Sequence, residues 1–154
     1  MKKLLILAAV CFSGLVAAQS NSEDVDFVQS IYGKEKKMIM AEFVQVDDAN
    51  KDAFWSLYDE YEVKRKAFGK QRIALLEKYA DEYLNLDDVS TSKIINETIA
   101  LGAKTDKLLA TYFKKMNKAA GTKPAAQFYQ LELFLLSEVR ASILESIPFI
   151  GELD

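Results

Sequence analysis

An all-α fold is predicted by three features of the sequence. Apolar residues recur at three- and four-residue steps almost throughout, the spacing of amphipathic helices. No stretch sustains the period-two alternation of a strand. Only two prolines, Pro124 and Pro148, interrupt 154 residues. Four helices are expected, arranged as a long antiparallel helical hairpin flanked by N- and C-terminal helices.

The chain opens with a leader. Met1-Lys2-Lys3 is basic, residues 4–16 are apolar, and Val16-Ala17-Ala18 places small residues ahead of Gln19. This is the pattern of a secretory signal peptide, and it falls short of the roughly 20 apolar residues a membrane span requires. Residues 1–18 are read as the signal peptide and residues 19–154 as one helical domain. The expected location is exported, in a bacterial periplasm, with no stable membrane insertion after cleavage. Cys11 is the one cysteine and leaves with the leader, so packing alone must hold the fold. Val10 ahead of Cys11, and the apolar run beyond it, argue against acylation there.

The first helix is expected over residues 23–44, with Ser22 as N-cap and Val28, Ile31, Tyr32, Ile39 and Phe43 on its apolar face. Gly33 weakens it by about 1 kcal/mol relative to Ala. The second runs over residues 48–86 behind an Asp47 cap, roughly 57 Å if it passes Gly69 unbroken. Its stripe is Phe54, Leu57, Tyr58, Tyr61, Phe68, Leu75, Leu76, Tyr79 and Tyr83. Glu60 with Lys64, and Glu62 with Lys66, read as i,i+4 pairs on a solvated face. Residues 87–92 form a polar connector with Ser90 or Ser92 as the next cap. The third helix carries Ile94, Ile95, Ile99, Leu101, Leu108, Leu109, Tyr112, Phe113 and Met116, and stops at Gly121. Thr122 caps the fourth, Pro124 sits in its first turn, and Pro148 ends it. The apolar tail beyond is expected to fold back. Connectors this short make consecutive helices antiparallel.

Helix four departs from simple amphipathicity. Phe128, Tyr129, Leu131, Leu133, Phe134, Leu135 and Leu136 cover most of its circumference, and a helix apolar all round must be buried all round. Two readings stand: central packing under the tail, or an interface with a second copy or partner. On the second, the interface residues are Phe128, Leu131, Leu133, Phe134 and Leu136, and the protein is a homodimer.

The chemistry missing from residues 19–154 is informative. They contain no histidine and no cysteine, which removes the commonest general base and the usual nitrogen and thiolate metal ligands. No serine lies in a G-x-S-x-G context, and no glycine-rich loop could cradle a phosphate. Acidic pairs at 47–48 and 87–88 sit at helix boundaries, where capping explains them. The expectation is a non-enzyme with no cofactor and no metal. Without the leader the chain carries 18 basic and 23 acidic residues, a balance of −5. That excludes generic nucleic-acid binding, which needs a basic face.

The order of elements, with two short motifs, resembles the Spy/CpxP-like family of small periplasmic all-helical proteins. That family opens two helices with L-T-x-x-Q. Here Val46-Asp47-Asp48-Ala49-Asn50 stands at the first position, and Gly121-Thr122-Lys123-Pro124-Ala125-Ala126-Gln127 at the second. The resemblance implies a dimeric, cradle-shaped chaperone or envelope-stress adaptor that works without ATP, with unfolded polypeptides as partners. Lys64, Arg65, Lys70 and Arg72 are the basic cluster, and Trp55 the aromatic, that would engage clients. The alternative is a carrier of a small apolar ligand, held in a cavity between tyrosine-lined helices.

Overall fold

The computed structural model describes residues 22–153; the signal-peptide expectation and Cys11 lie outside them. The described residues form four helices and no strand: α1 (Ser22–Phe43), α2 (Lys51–Glu82), α3 (Asp88–Ala120) and α4 (Thr122–Ser146). The expected all-α architecture, a long helix pair flanked by two further helices, is what the structure has. Pairs of side chains fix the directions. Tyr61 meets Tyr112, and Lys78 meets Glu97, so α2 and α3 are antiparallel. Arg140 reaches Asp106 and Tyr129 meets Phe113, so α4 runs back along α3. Lys37 reaches Asp59, and the Arg65 guanidinium lies 5.4 Å from the Tyr32 ring, so α1 runs antiparallel to α2.

Gly33 and Gly69 break neither helix. Gly33 has a different use. A Cβ there would stand 3.2 Å from Lys66 Cε, so its bare backbone lets α1 approach α2. The boundaries correct three expectations. Asp47 is extended, but its side chain caps nothing; a 3₁₀ turn over Asp48–Asn50 precedes α2. The cap of α3 is Asp87, not Ser90 or Ser92. Its carboxylate accepts from the Ser90 backbone N–H (2.8 Å), and Ser90 Oγ accepts from the Asp87 N–H (3.0 Å), a reciprocal capping box. Thr122 is the first residue of α4 rather than its cap, and its hydroxyl donates to Asn117 Oδ1. Gly121 between α3 and α4 takes φ +94°, which only glycine adopts without strain.

Two cores form at opposite ends of the hairpin. The larger unites all four helices or their flanks: Met40 and Val44; Phe54, Tyr58 and Tyr61; Leu109, Tyr112 and Met116; Ala125 and Phe128. Phe128 lies edge-on to Phe54, Tyr58 and Tyr61 at 6.5, 6.3 and 5.2 Å, contacts of about 0.5–1.5 kcal/mol each beyond their area. The smaller core, at the hairpin turn, is Tyr79, Tyr83 and Ile94 with Leu86 and Ile147 beside them. The tail does fold back here, but by its backbone. Tyr79 Oη donates to the Pro148 carbonyl and Tyr83 Oη to that of Phe149, both at 2.7 Å, while the Phe149 and Ile150 side chains stay exposed. Between the cores, residues 66–78 of α2 include no fully buried side chain.

Candidate functional site

The surplus apolar surface of α4 divides. Phe128 and Leu135 are buried, Leu131 and Leu136 half-buried, and Leu133 and Phe134 exposed at 41% and 55%. Phe128 therefore belongs to the interior of this chain and offers nothing to a second copy. The unexpected occupant of the buried stripe is Glu132, which is fully inaccessible. It stands four residues after Phe128 and three before Leu135, so helical geometry aims it inward with them.

Glu132 is one corner of a buried charge cluster built from three helices. Lys36 of α1, only 2% exposed, donates from Nζ to Glu62 Oε1 of α2 (2.5 Å) and to Glu132 Oε1 of α4 (2.6 Å). Arg65 grips Glu62 from the same helix with two bonds, Nε to Oε1 at 2.9 Å and Nη2 to Oε2 at 3.1 Å. Tyr61 Oη donates to Glu132 Oε1 at 2.7 Å. Two cations face two carboxylates, and aromatic rings enclose them. The Lys36 ammonium lies 5.9 Å from the Tyr58 centroid and 5.3 Å from that of Tyr61, within cation–π range. Among the described residues, Glu132 Oε2 and the Tyr58 hydroxyl find no hydrogen-bond partner.

The electrostatics follow from this enclosure. Burial alone would raise the Glu62 carboxyl, but Lys36 and Arg65 outweigh it and hold the group below its ordinary value. Burial would lower the Arg65 guanidinium, yet its bonds to Glu62 raise it. Burial drives the Tyr32 phenol up to about 12, against the opposing pull of Arg65 and with help from Glu132 and Glu62. Tyr58 and Tyr61 are pushed up further, again mainly by burial and then by the same carboxylates. The phenols are held towards their neutral form, and the Glu62–Arg65 contact favours the charged form of both partners.

The expected basic cluster on α2 does not assemble into one surface. Arg65 is drawn into the buried ion pairs. Seven residues on, Arg72 shares its face and is half-buried; burial first, then the nearby Arg140, lower its guanidinium, while Asp106 opposes them. Lys64 is exposed, its ammonium 5.4 Å from the Tyr112 ring, and Lys70 is exposed on another flank. Trp55 is half-buried, edge-on to Phe54 and Tyr58, with the Lys37 ammonium 5.6 Å from its ring. The expected solvated pairs differ too. Glu62 turns to Lys36 and Arg65 instead of Lys66, and Glu60 meets Lys115 (3.5 Å) and the Tyr112 hydroxyl (3.2 Å).

The sequence reading missed Lys36 and Glu132. Of the face expected for α1, Tyr32 turns inward, Ile39 and Phe43 do not, and the side chains of Val28 and Ile31 lie outside the described ones. The described inward seam is Tyr32, Lys36, Met40 and Val44, at four-residue steps, whereas Met38, Ile39 and Phe43 are exposed. In this part α1 turns a lysine inward and apolar side chains outward. A signal for Glu132 was present: it is the lone charge in residues 128–136.

Elsewhere, an open cleft of about 410 Å³ lies between the middles of α2 and α3, lined by Ala74, Leu75, Ala100 and Leu101, with Lys78, Glu97 and Lys104 at its edges. Among the described residues no group of acidic side chains is arranged to hold a metal ion, and no helix is long and apolar enough to cross a membrane. No protein-family model, curated protein or solved structure matches the chain.

Proposed function

We propose that this is an exported, non-enzymatic protein that binds other polypeptides, acting without ATP as a chaperone or envelope-stress adaptor of the Spy/CpxP-like kind. The observation that carries the reading is the outward face of α1. Met38, Ile39 and Phe43 stand exposed within six residues on a helix whose inner face is anchored by ions. Scattered exposed apolar residues are ordinary, but a strip on one helix face, with Leu133 and Phe134 exposed on α4 as well, suits reversible contact with unfolded chains. Lys34, Lys37 and Glu42 lie among or beside these residues, which favours weak, salt-sensitive capture over tight trapping.

The test is suppression of aggregation of chemically different unfolding clients at several-fold molar excess, without nucleotide. The protein should suppress, and Ile39→Ser with Phe43→Ser should lose most of the effect while melting normally. Failure to protect any client removes the reading. Export is tested separately, by intact mass of native protein, which should begin at or near Gln19; a mature form retaining Met1 would contradict it.

A second reading, a carrier of a small apolar ligand, draws on the cleft between α2 and α3. It is open where a carrier's cavity would enclose its cargo. Stoichiometric uptake of one apolar fluorophore, abolished by Ala100→Phe, would favour it over polypeptide binding.

A further inference from the structure

A charged side chain sits at the centre of the described contact of α1 with its neighbours. Of its described side chains only Lys36 and Met40 are fully buried, and Lys36 makes the bonds that join it to both α2 and α4. Consider the groove that α1 fills. Without Lys36 it would hold Glu62, Glu132 and Arg65, two carboxylates against one guanidinium. Tyr58 and Tyr61 present ring faces to the ammonium, and Phe128 stacks edge-on behind them. One helical turn on is the slot that receives Met40. Anions, π faces and an adjoining apolar slot make a receptor for a primary ammonium on an aliphatic stem. The bare carboxylate oxygen of Glu132 and the Tyr58 hydroxyl, without a partner among the described residues, leave hydrogen-bonding capacity there that the described side chains of α1 do not use.

We propose that this groove between α2 and α4 recognises lysine-bearing helical segments of client polypeptides, and that α1 is its built-in occupant. The segment it reads is a lysine followed four residues later by a long apolar side chain. The proposal rests on the polypeptide-binding reading and names the client feature selected. Undocking of α1 returns Lys36, Glu62 and Glu132 to water, and regained hydration offsets much of the lost pairing. The short stretch 44–47 between α1 and the turn before α2 supplies the pivot. An external segment competes with α1, so its apparent affinity is reduced by the fraction of time the groove is occupied.

The experiment uses a fluorescent synthetic peptide of residues 32–46, titrated with the full-length protein and followed by anisotropy. The Lys36→Met protein, whose own α1 lacks the ammonium, should bind the peptide at least about tenfold tighter than wild type, because its groove is open more of the time. A peptide carrying the same Lys36→Met change should lose about tenfold in affinity, and Glu132→Gln added to the Lys36→Met protein, whose α1 no longer competes for that carboxylate, should weaken the unchanged peptide about tenfold, since each removes one side of a charge pair. Hydrogen exchange of the wild type is the second measurement and does not depend on any variant folding. Amides of residues 34–43 should exchange faster than those of residues 56–62. Equal protection of the two stretches, or binding indifferent to the peptide's lysine, overturns the proposal. Protection of clients without peptide binding rejects the groove alone. Peptide binding without protection of any client rejects the chaperone reading on which it rests.

Discussion

Phe128 and Phe134 lie six residues apart on one helix and should answer truncation very differently. Phe128 is wholly inaccessible and edge-on to three rings, whereas Phe134 is 55% exposed. Phe128→Ala removes a buried ring and leaves a cavity walled by Phe54, Tyr58 and Tyr61. Such changes cost about 3–5 kcal/mol, and three lost ring contacts place this one near the upper half of that range, at about 4 kcal/mol. With a urea dependence of roughly 2 kcal/mol per molar, the unfolding midpoint should fall by about 2 M. Phe134→Ala should move it by no more than about 0.5 M, since exposed substitutions change stability by only a few tenths of a kcal/mol. Trp55, the one tryptophan, reports the transition from within the same aromatic cluster, 5.2 Å from Phe54 and 5.4 Å from Tyr58. A Phe128→Ala midpoint within about 0.5 M of wild type, or equal losses for the two variants, would refute the placement of Phe128 in the core.

Three further outcomes are expected. The Glu62 carboxyl is held below its ordinary value in the folded state, so its stabilising contribution is complete above the unfolded value of about 4.3 and lost as pH falls through the lower folded value. Urea midpoints should therefore change little from pH 7 to 5 and drop below about pH 4, and Glu62→Gln should lower the midpoint at pH 7 while flattening that acid limb; an unchanged limb would detach Glu62 from acid unfolding. Asp87→Ala breaks the capping box of α3 and should cost about 1 kcal/mol in a thermal melt, whereas Asp47→Ala, whose side chain caps nothing, should cost far less. Leu133→Glu places a charge at an exposed position and should leave the monomer fold intact; if wild type sediments as a dimer at micromolar concentration through α4, the variant should sediment as a monomer.

The helices were readable because their signals are local. Gly121 ends α3, Pro124 lies in the first turn of α4, and the tyrosines at 58, 61 and 79 mark the buried side of α2 through their spacing alone, with Tyr83 continuing it in the 3₁₀ turn where the expected helix to residue 86 gives out. The charge cluster was unreadable because the bonds that join its three helices are not local. Within α2, Glu62 has Lys66 four residues away and looks like half of a surface pair. Its actual partners include Lys36, 26 residues earlier, and the neighbouring Glu132 contact of that lysine spans 96 residues. Periodicity reports which side of a helix is apolar, so where a lysine turns inward it misplaces the neighbours, as it did Ile39 and Phe43 of α1. The basic cluster dispersed for a different reason: proximity in sequence from Lys64 to Arg72 put side chains on different faces, and Glu62, three residues earlier on the same helix, claimed Arg65. Glu132 alone left a trace, as a single charge among apolar neighbours.

The separation of the two aromatic cores divides the molecule's resistance to opening. Between them α2 has no fully buried side chain across residues 66–78 and α3 contributes Leu101 and Thr105, so the middle of the hairpin is more thinly packed than its ends. The end holding Phe128 is clamped by four helices or their flanks. The hairpin turn is clamped by three buried residues, two flanking side chains and the backbone of the returning tail, through hydroxyl bonds from Tyr79 and Tyr83. Brief fraying of the last turns before residue 150 would release both hydroxyls together and let the tips of α2 and α3 part, while the far end kept its shape. Opening of this kind would be confined to the hairpin turn, with the core around Phe128 left intact.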